Sequence, residues 1–144
     1  MSVPATTRLP NVERDLHLLH YREMREMNPD SARIAAYDAA MTAARASLAR
    51  GAPSAALAQL ERAHVLGQRD FGRHWRVHVT MLRAAWALRD GRELRGQMLR
   101  LSLVPLGHLF GRLPLGNTGR SNVSAFAPMD VPADLKRLLD DGRG

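Results

Sequence analysis

Turn signals at regular intervals divide the sequence into segments of about 15 to 20 residues, each with apolar residues spaced as on one face of a helix. The signals combine proline, glycine and aspartate, and they lie at Asn28-Pro29-Asp30, Gly51-Ala52-Pro53, Gly67 and Asp90-Gly91. Because a few turn residues between two such segments make antiparallel neighbours, the pattern predicts helical hairpins. Two of them, at 31–67 and 70–104, resemble the helix pairs of tetratricopeptide repeats.

The composition favours a single all-α domain over residues 1–144. Alanine and leucine supply most of the apolar residues, and β-branched residues are few, which favours helices over strands. We predict five to six helices, within 11–27, 31–49, 53–67, 70–88, 92–104 and 133–141. The helix at 92–104 carries Leu94, Met98, Leu101 and Val104 as its apolar residues. In this prediction residues 1–10 are a flexible N terminus, and the Gly/Pro-rich segment 105–132 is a loop that caps the helices.

The composition also bears on partners and location. The sequence has no cysteine, which excludes disulfides, thiolate metal sites and a cysteine nucleophile. No run of about 18 apolar residues could span a membrane, and residues 1–10 lack a secretion signal, so we expect a cytoplasmic protein. The formal charge is +7, but no nucleic-acid-binding module is recognisable, and we do not expect nucleic acid as a partner.

The predicted helix at 70–88 has two faces of opposite character. At about 100° per residue, arginines gather on one side of the helix, and these are Arg69, Arg73, Arg76 and Arg83. His74 and His78 fall on the other side with Met81, which indicates that both histidines face the core. They are four residues apart, one helical turn, so their imidazoles can converge on one ion.

The preceding helix offers a matching pair. Glu61-Arg-Ala-His64 has the Glu-x-x-His spacing that places a carboxylate and an imidazole on one metal inside helical bundles. In an antiparallel hairpin His64 would lie across from His74, and Glu61 across from His78. His108, beyond Pro105, is a candidate fifth ligand. Such a donor set suits zinc or iron, with nickel or copper as further candidates, better than magnesium or calcium.

Two alternatives to a metal site stay open. The inward histidines and Glu61 could satisfy one another as a metal-free hydrogen-bond network, since buried polar groups need partners. The predicted helix face could also be drawn wrongly. His17 and His20, near Glu13 and Glu23, are a second group, either surface residues or additional groups that close over the central site.

The glycine-rich segment supports two interpretations. Gly116-Asn117-Thr118-Gly119 can expose backbone N–H groups, and Arg112 and Arg120 flank it, so these arginines and Asn117 are candidate contacts for a small anion. The segment is not a phosphate-binding P-loop, because no Gly-Lys-Ser/Thr follows. We favour a well-ordered capping loop in which Asn117 and Asn122 bond to backbone.

Three motifs together carry a family resemblance. They are Ala63-His-Val-Leu-Gly-Gln68, His74-x-x-x-His78, and Pro105-Leu-Gly-His-Leu109 followed, after Phe110, by Gly-Arg-Leu-Pro-Leu-Gly-Asn-Thr-Gly-Arg-Ser-Asn-Val-Ser-Ala-Phe-Ala-Pro-Met. With these motifs the chain resembles an uncharacterised bacterial family, domain of unknown function 3703, over about residues 35 to 130. The family has no assigned activity. The resemblance implies that the helical hairpins and the glycine-rich segment form one unit.

The sequence therefore predicts a small helical protein that binds a transition metal through Glu61, His64, His74, His78 and His108. Its function would be structural or sensory if protein groups close the coordination shell, and enzymatic if a position stays open to water. The alternative is a metal-free, tetratricopeptide-like interaction module. A homo-oligomer is compatible with either.

Overall fold

The computed structural model describes residues 29–140, and this part of the chain contains five α-helices and no strand. The helices are α1 (Pro29–Ala49), α2 (Pro53–Gly67), α3 (Phe71–Leu88), α4 (Gly91–Leu109) and α5 (Ala133–Asp140). The all-α prediction is confirmed. The predicted helix at 11–27, with Glu13, His17, His20 and Glu23, lies outside the described residues.

Helices α1, α2 and α3 each pack against the next one along the chain. The connections between them are only two or three residues long, so neighbouring helices run antiparallel. Arg33, early in α1, donates to the carbonyl of Leu66 at the end of α2 over 2.7 Å. The core between these helices is built mainly from small and medium apolar side chains, among them Ala40, Met41, Ala44, Leu57, Leu60, Val77, Met81 and Ala84.

Aspartates begin the two helices that follow tight turns. The Asp70 carboxylate accepts from the backbone N–H of Arg73 at 2.8 Å, and Asp90 accepts from those of Arg92 and Glu93 at 3.0 Å. Each aspartate satisfies N–H groups that have no partner inside the helix, which is the usual function of an N-cap. These caps fix where α3 and α4 begin.

Helix α4 differs from the prediction in two respects. It continues through Pro105 to Leu109 instead of ending at residue 104, so the irregular segment begins at residue 110. Its buried residues are Glu93, Gln97, Arg100 and Val104, whereas Met98 is 57% exposed. The reason is that a loop with polar backbone groups, rather than another apolar helix, packs against this face.

That loop spans residues 110–132 and passes against α2 and α4 before α5. The side-chain amide of Gln68 donates to the carbonyl of Pro114 over 2.6 Å, and Ser121 contacts Glu93 of α4. Leu135 of α5 is buried in the common core, and α5 packs against α1 and α2. Within residues 29–140 no helix has the length and apolar character needed to cross a membrane.

Candidate metal centre

Three imidazoles meet at one point in the interior. The Nε2 atom of His64 lies 3.0 Å from Nε2 of His74 and 3.2 Å from Nε2 of His78, and the latter two atoms are 3.1 Å apart. The three side chains are 2%, 5% and 2% exposed. Of the described residues, these three form a group whose geometry could hold a metal ion.

The local sequence explains this convergence. His74 and His78 occupy successive turns of α3 on the face opposite the exposed arginines Arg76 and Arg83, as predicted. The short turn between Gly67 and Phe71 then folds α2 back, so that His64 approaches both rings from the facing helix. The prediction that His64, His74 and His78 come together is confirmed.

Each ring is oriented through its other nitrogen. Nδ1–H of His64 donates to the Asn117 carbonyl at 2.7 Å, and Nδ1–H of His78 donates to Oε1 of Gln97 at 2.7 Å. Both partners are acceptors, so each of these neutral imidazoles presents the lone pair of Nε2 to the centre. Nδ1 of His74 lies 3.1 Å from Nε2 of His108, a pair in which either nitrogen can donate.

A second layer of polar side chains fixes Gln97. Its amide nitrogen donates to Oε1 of Glu93 and to the Gly119 carbonyl, both at 2.8 Å, which leaves Oε1 facing His78. Glu93 in turn accepts from the hydroxyl of Ser121 at 2.5 Å and lies 3.1 Å from Nε of Arg120. A chain of contacts therefore runs from a buried carboxylate to a histidine ring, the kind of arrangement that orients metal ligands.

The triad is neutral at physiological pH. Burial, reinforced by His78 and His74, holds the pKa of His64 well below its ordinary range. Burial and the neighbouring rings lower the pKa of His74 to about 3. Burial lowers that of His78 to about 4, although its hydrogen bond with Gln97 opposes the shift. Neutral imidazole is the form that binds a metal ion.

Glu93 is ionised because its hydrogen bonds and a neighbouring charge outweigh the effect of burial, whereas burial dominates for the three histidines. Burial raises the pKa of this carboxyl, but hydrogen bonds from Ser121 and Gln97 and the charge of Arg120 outweigh burial and leave the pKa below its ordinary value. Glu93 is therefore a buried anion beneath the centre. Its charge is paired with Arg120, so it supports Gln97 without approaching the three Nε2 atoms.

The glycine-rich segment packs against the triad from the side of His64. The buried side chain of Asn117 donates to the carbonyls of Ser124 and Ala127 and accepts from the N–H of Gly119, which holds the Asn117 carbonyl against His64. Gly119 has φ +78°, and a Cβ there would lie 2.7 Å from Cδ2 of His64. Only glycine lets the chain pass this close to the ring in this conformation.

A cavity of about 340 Å³ opens beside the triad. All three histidines contribute to its wall. The rest of the wall is mostly apolar and comes from α4 and the following loop, including Leu103, Val104, Leu113, Pro114 and Phe126. Asn117 and Gln97 lie behind the rings of His64 and His78, at their Nδ1 atoms, and the cavity lies beside the triad.

Two predicted ligands do not join the triad. Glu61, at the edge of its helical stripe, is paired with Arg120, whose guanidinium donates to Oε1 at 2.8 Å. His108 reaches the site, but it contacts Nδ1 of His74 rather than the shared centre of the Nε2 atoms. The structure therefore places neither Glu61 nor His108 with the three Nε2 atoms.

The predicted anion contacts separate in the same way. Arg120 lies between the carboxylates of Glu61 and Glu93, so its charge is already neutralised. Asn117 uses its side chain entirely for the loop. Arg112 lines the cavity next to the triad. Asn117 also lines the cavity, but its amide is already hydrogen-bonded to the loop, so Arg112 is the one of the three whose side chain is left for an anion.

The sequence pattern did not predict that the polar face of α4 is buried. Glu93, Gln97, Arg100 and Val104 recur at intervals of three and four residues, the spacing of one helical face, but three of the four are polar. A stripe that combines a carboxylate, an amide and a guanidinium reads as a solvated face when apolar residues alone are counted. Read together with Gly119 and Ser121, it could have indicated a buried network.

Comparisons with curated proteins and with solved structures gave no match. The family model described as "Protein of unknown function (DUF3703)" matches residues 31–139, which include every helix from α2 to α4 and the whole glycine-rich loop. The chain belongs to this family.

Proposed function

We propose that the protein binds one divalent transition-metal ion through the Nε2 atoms of His64, His74 and His78. One observation carries the proposal: three buried Nε2 atoms lie 3.0–3.2 Å apart while each Nδ1 atom has its own partner. A core histidine retained for packing needs a partner for each nitrogen, but it does not need to share one point with two others.

The spacing of the nitrogens matches that of metal ligands. With metal–nitrogen bonds of about 2.0–2.1 Å, two ligands are about 3.3 Å apart in a tetrahedral shell and about 2.9 Å apart at right angles. The observed separations of 3.0, 3.1 and 3.2 Å fall between these values. An ion could therefore bind without a large movement of α2 or α3.

The donor set favours zinc. Three neutral imidazoles and no thiolate or carboxylate form a site of intermediate softness, which suits zinc, cobalt, nickel or copper. Non-haem iron is usually held by two histidines and one carboxylate, and Glu61, the predicted carboxylate ligand, is paired with Arg120 instead. We therefore rank zinc ahead of iron.

We further propose a metal-dependent enzyme rather than a closed structural site. Structural zinc sites use four protein ligands, whereas catalytic ones use three and leave a position for water. The cavity beside His64, His74 and His78 gives such a position access to a small molecule. Water bound to zinc has its pKa lowered to about 7 and becomes a nucleophile, which is the chemistry of hydrolysis.

The test is elemental analysis of untagged protein purified without chelator. We expect about one equivalent of metal in the native chain and its loss from the His64→Ala/His74→Ala variant. His108→Ala is the matched control, because His108 belongs to the same cluster but does not reach the shared centre. Equal metal content in native protein and double variant would refute the proposal.

A metal-free interaction module is the second candidate. It is supported by apolar side chains that remain on the surface: Trp86 is 74% exposed, and with Leu82, Leu94 and Met98 it lines a shallow groove between α3 and α4. Unlike the metal site, this groove has, among its described residues, no charged or polar group beyond Arg83 to specify a ligand. Protein that neither contains metal nor binds added zinc would favour this alternative.

A further inference from the structure

Three arginines lie around the candidate metal centre, and two of them are already engaged. Arg100 donates to the carbonyls of Gly96, Arg120 and Val123. Arg120 is paired with two carboxylates. The side chain of Arg112 has no hydrogen bond or ion pair within the described part of the chain, and it lines the cavity. Arg112 therefore brings an uncompensated positive charge to the cavity.

The wall of the cavity determines what can enter. Among the described residues that line it, the triad, Arg100, Arg112 and Asn117 are polar or charged, and the other side chains are aliphatic or aromatic. None of the lining residues between positions 29 and 140 is a carboxylate. The volume of about 340 Å³ is at the lower end of the range of about 300–1,000 Å³ typical of small-molecule pockets. An apolar chamber with a positive rim is complementary to a small molecule with an apolar body and one negative group.

We propose that the cavity binds a small amphiphilic carboxylate. Its carboxylate pairs with the guanidinium of Arg112, whose planar fork of N–H donors matches two carboxylate oxygens. Its apolar chain lies against Leu103, Val104 and Leu113 and points toward the three histidines. The inference rests on the proposed function only for the end of the ligand that points toward the three histidines, which would meet the metal ion there. The pairing of the carboxylate with Arg112 does not require the ion.

The experiment measures binding of hexanoate, octanoate and the neutral analogue octanamide by calorimetry, with zinc-loaded and with chelator-treated protein. Burial of the chain predicts that octanoate binds about fifteenfold more tightly than hexanoate, about fourfold for each methylene. Because Arg112 is exposed, Arg112→Gln is expected to weaken octanoate binding about fivefold, the upper value for an exposed ion pair, and to leave octanamide binding unchanged. Arg95→Gln is the matched control, since Arg95 is an exposed arginine of α4 outside the cavity wall.

The outcomes separate this inference from the proposed metal site. Equal octanoate binding by native protein and Arg112→Gln would overturn it, as would octanamide binding as tightly as octanoate. Octanoate binding that disappears on chelation but ignores Arg112→Gln would place the carboxylate on the metal, which overturns the inference and supports the metal site. Binding that depends on Arg112 in protein unable to hold metal would support the inference and refute the proposed function.

Discussion

Replacing Gln97 with leucine would test whether metal binding depends on how the three histidine rings are oriented, since all three histidines stay in the chain. Gln97 is fully buried, touches none of the Nε2 atoms, and makes hydrogen bonds to His78, Glu93 and Gly119 at 2.7, 2.8 and 2.8 Å. Leucine has a similar volume but neither donates nor accepts. Gln97→Leu therefore keeps three histidines in place and removes the acceptor that orients one of them.

The expected magnitudes follow from these contacts. Loss of a partner behind a metal-bound histidine typically weakens metal affinity by about 10- to 100-fold, or about 1.4–2.7 kcal/mol. In the metal-free protein, three lost hydrogen bonds at about 1 kcal/mol each, with the Nδ1–H of His78 left buried and unpartnered, should lower the free energy of unfolding by about 3–5 kcal/mol. The two effects are measured separately, by competition with a chromophoric chelator and by urea unfolding.

Gln68→Leu is the matched control for this experiment. Gln68 is also a buried glutamine that donates to the returning loop, at the carbonyl of Pro114, but it contacts no histidine of the triad. It should lower stability and leave zinc affinity within about twofold of the native value. The reasoning is refuted if Gln97→Leu folds with native affinity, or if Gln68→Leu loses as much affinity as Gln97→Leu.

Three further predictions follow from the same geometry. Gly119→Ala should lower the melting temperature and the amount of bound metal, because the new Cβ would meet the ring of His64. Gly51→Ala is the control: Gly51 has a similar φ of +71° and no described atom within 4 Å, so this variant should lose only about 1 kcal/mol through backbone strain. Equal losses of stability for the two variants in calorimetry would contradict this prediction. His108→Ala should retain one equivalent of metal but bind it about tenfold more weakly, because the substitution removes a hydrogen-bond partner of His74 rather than a metal ligand. Complete loss of the metal would instead show that His108 is a ligand. Acidification of metal-free protein from about pH 6.5 to about pH 4 should lower the free energy of unfolding by about 1.4 kcal/mol per pH unit for each of His74 and His78. The reason is that in this pH range these two histidines take up protons only in the unfolded chain. Urea unfolding across this range measures the slope, and a free energy of unfolding that does not change with pH would contradict the prediction.

The triad was predictable because local rules decide it. The alternation of arginines and apolar residues fixes which face of α3 is buried, and the interval from His74 to His78 is one turn. The short turn after Gly67 brings α2 alongside α3. These are short-range features, and none depends on residues that are distant in sequence.

Glu61 shows where such rules stop. Its spacing to His64 places it near the same face, but a helical wheel does not give the rotation of one helix against the next. It also cannot show a competitor from a distant segment. Arg120, 59 residues further along the chain, pairs with Glu61 and draws the carboxylate away from the centre. A charged side chain at the edge of a buried stripe goes to the best partner within reach.

Helix α4 was misread for a different physical reason. Apolar periodicity identifies a face that packs against other apolar side chains, and the α4 face toward the site packs against loop backbone instead. Arg100 donates to two loop carbonyls at 2.6 Å, and Gln97 donates to a third. A face that satisfies carbonyl groups must be polar, so the apolar residues Leu94 and Met98 were left on the outer side.

The orientation of the rings leaves the metal-free centre with an electrostatic conflict. Hydrogen bonds to Asn117 and Gln97 place the Nε2 lone pairs of His64 and His78 face to face at 3.2 Å, and low pKa values keep either ring from taking up a second proton at Nε2. Only His74 can supply a hydrogen between them, through its Nε2–H while Nδ1 accepts from His108, and one hydrogen serves two lone pairs poorly. A cation at the centre satisfies all three nitrogens and lets His74 donate to His108 instead. The free energy of metal binding would then also be free energy of folding.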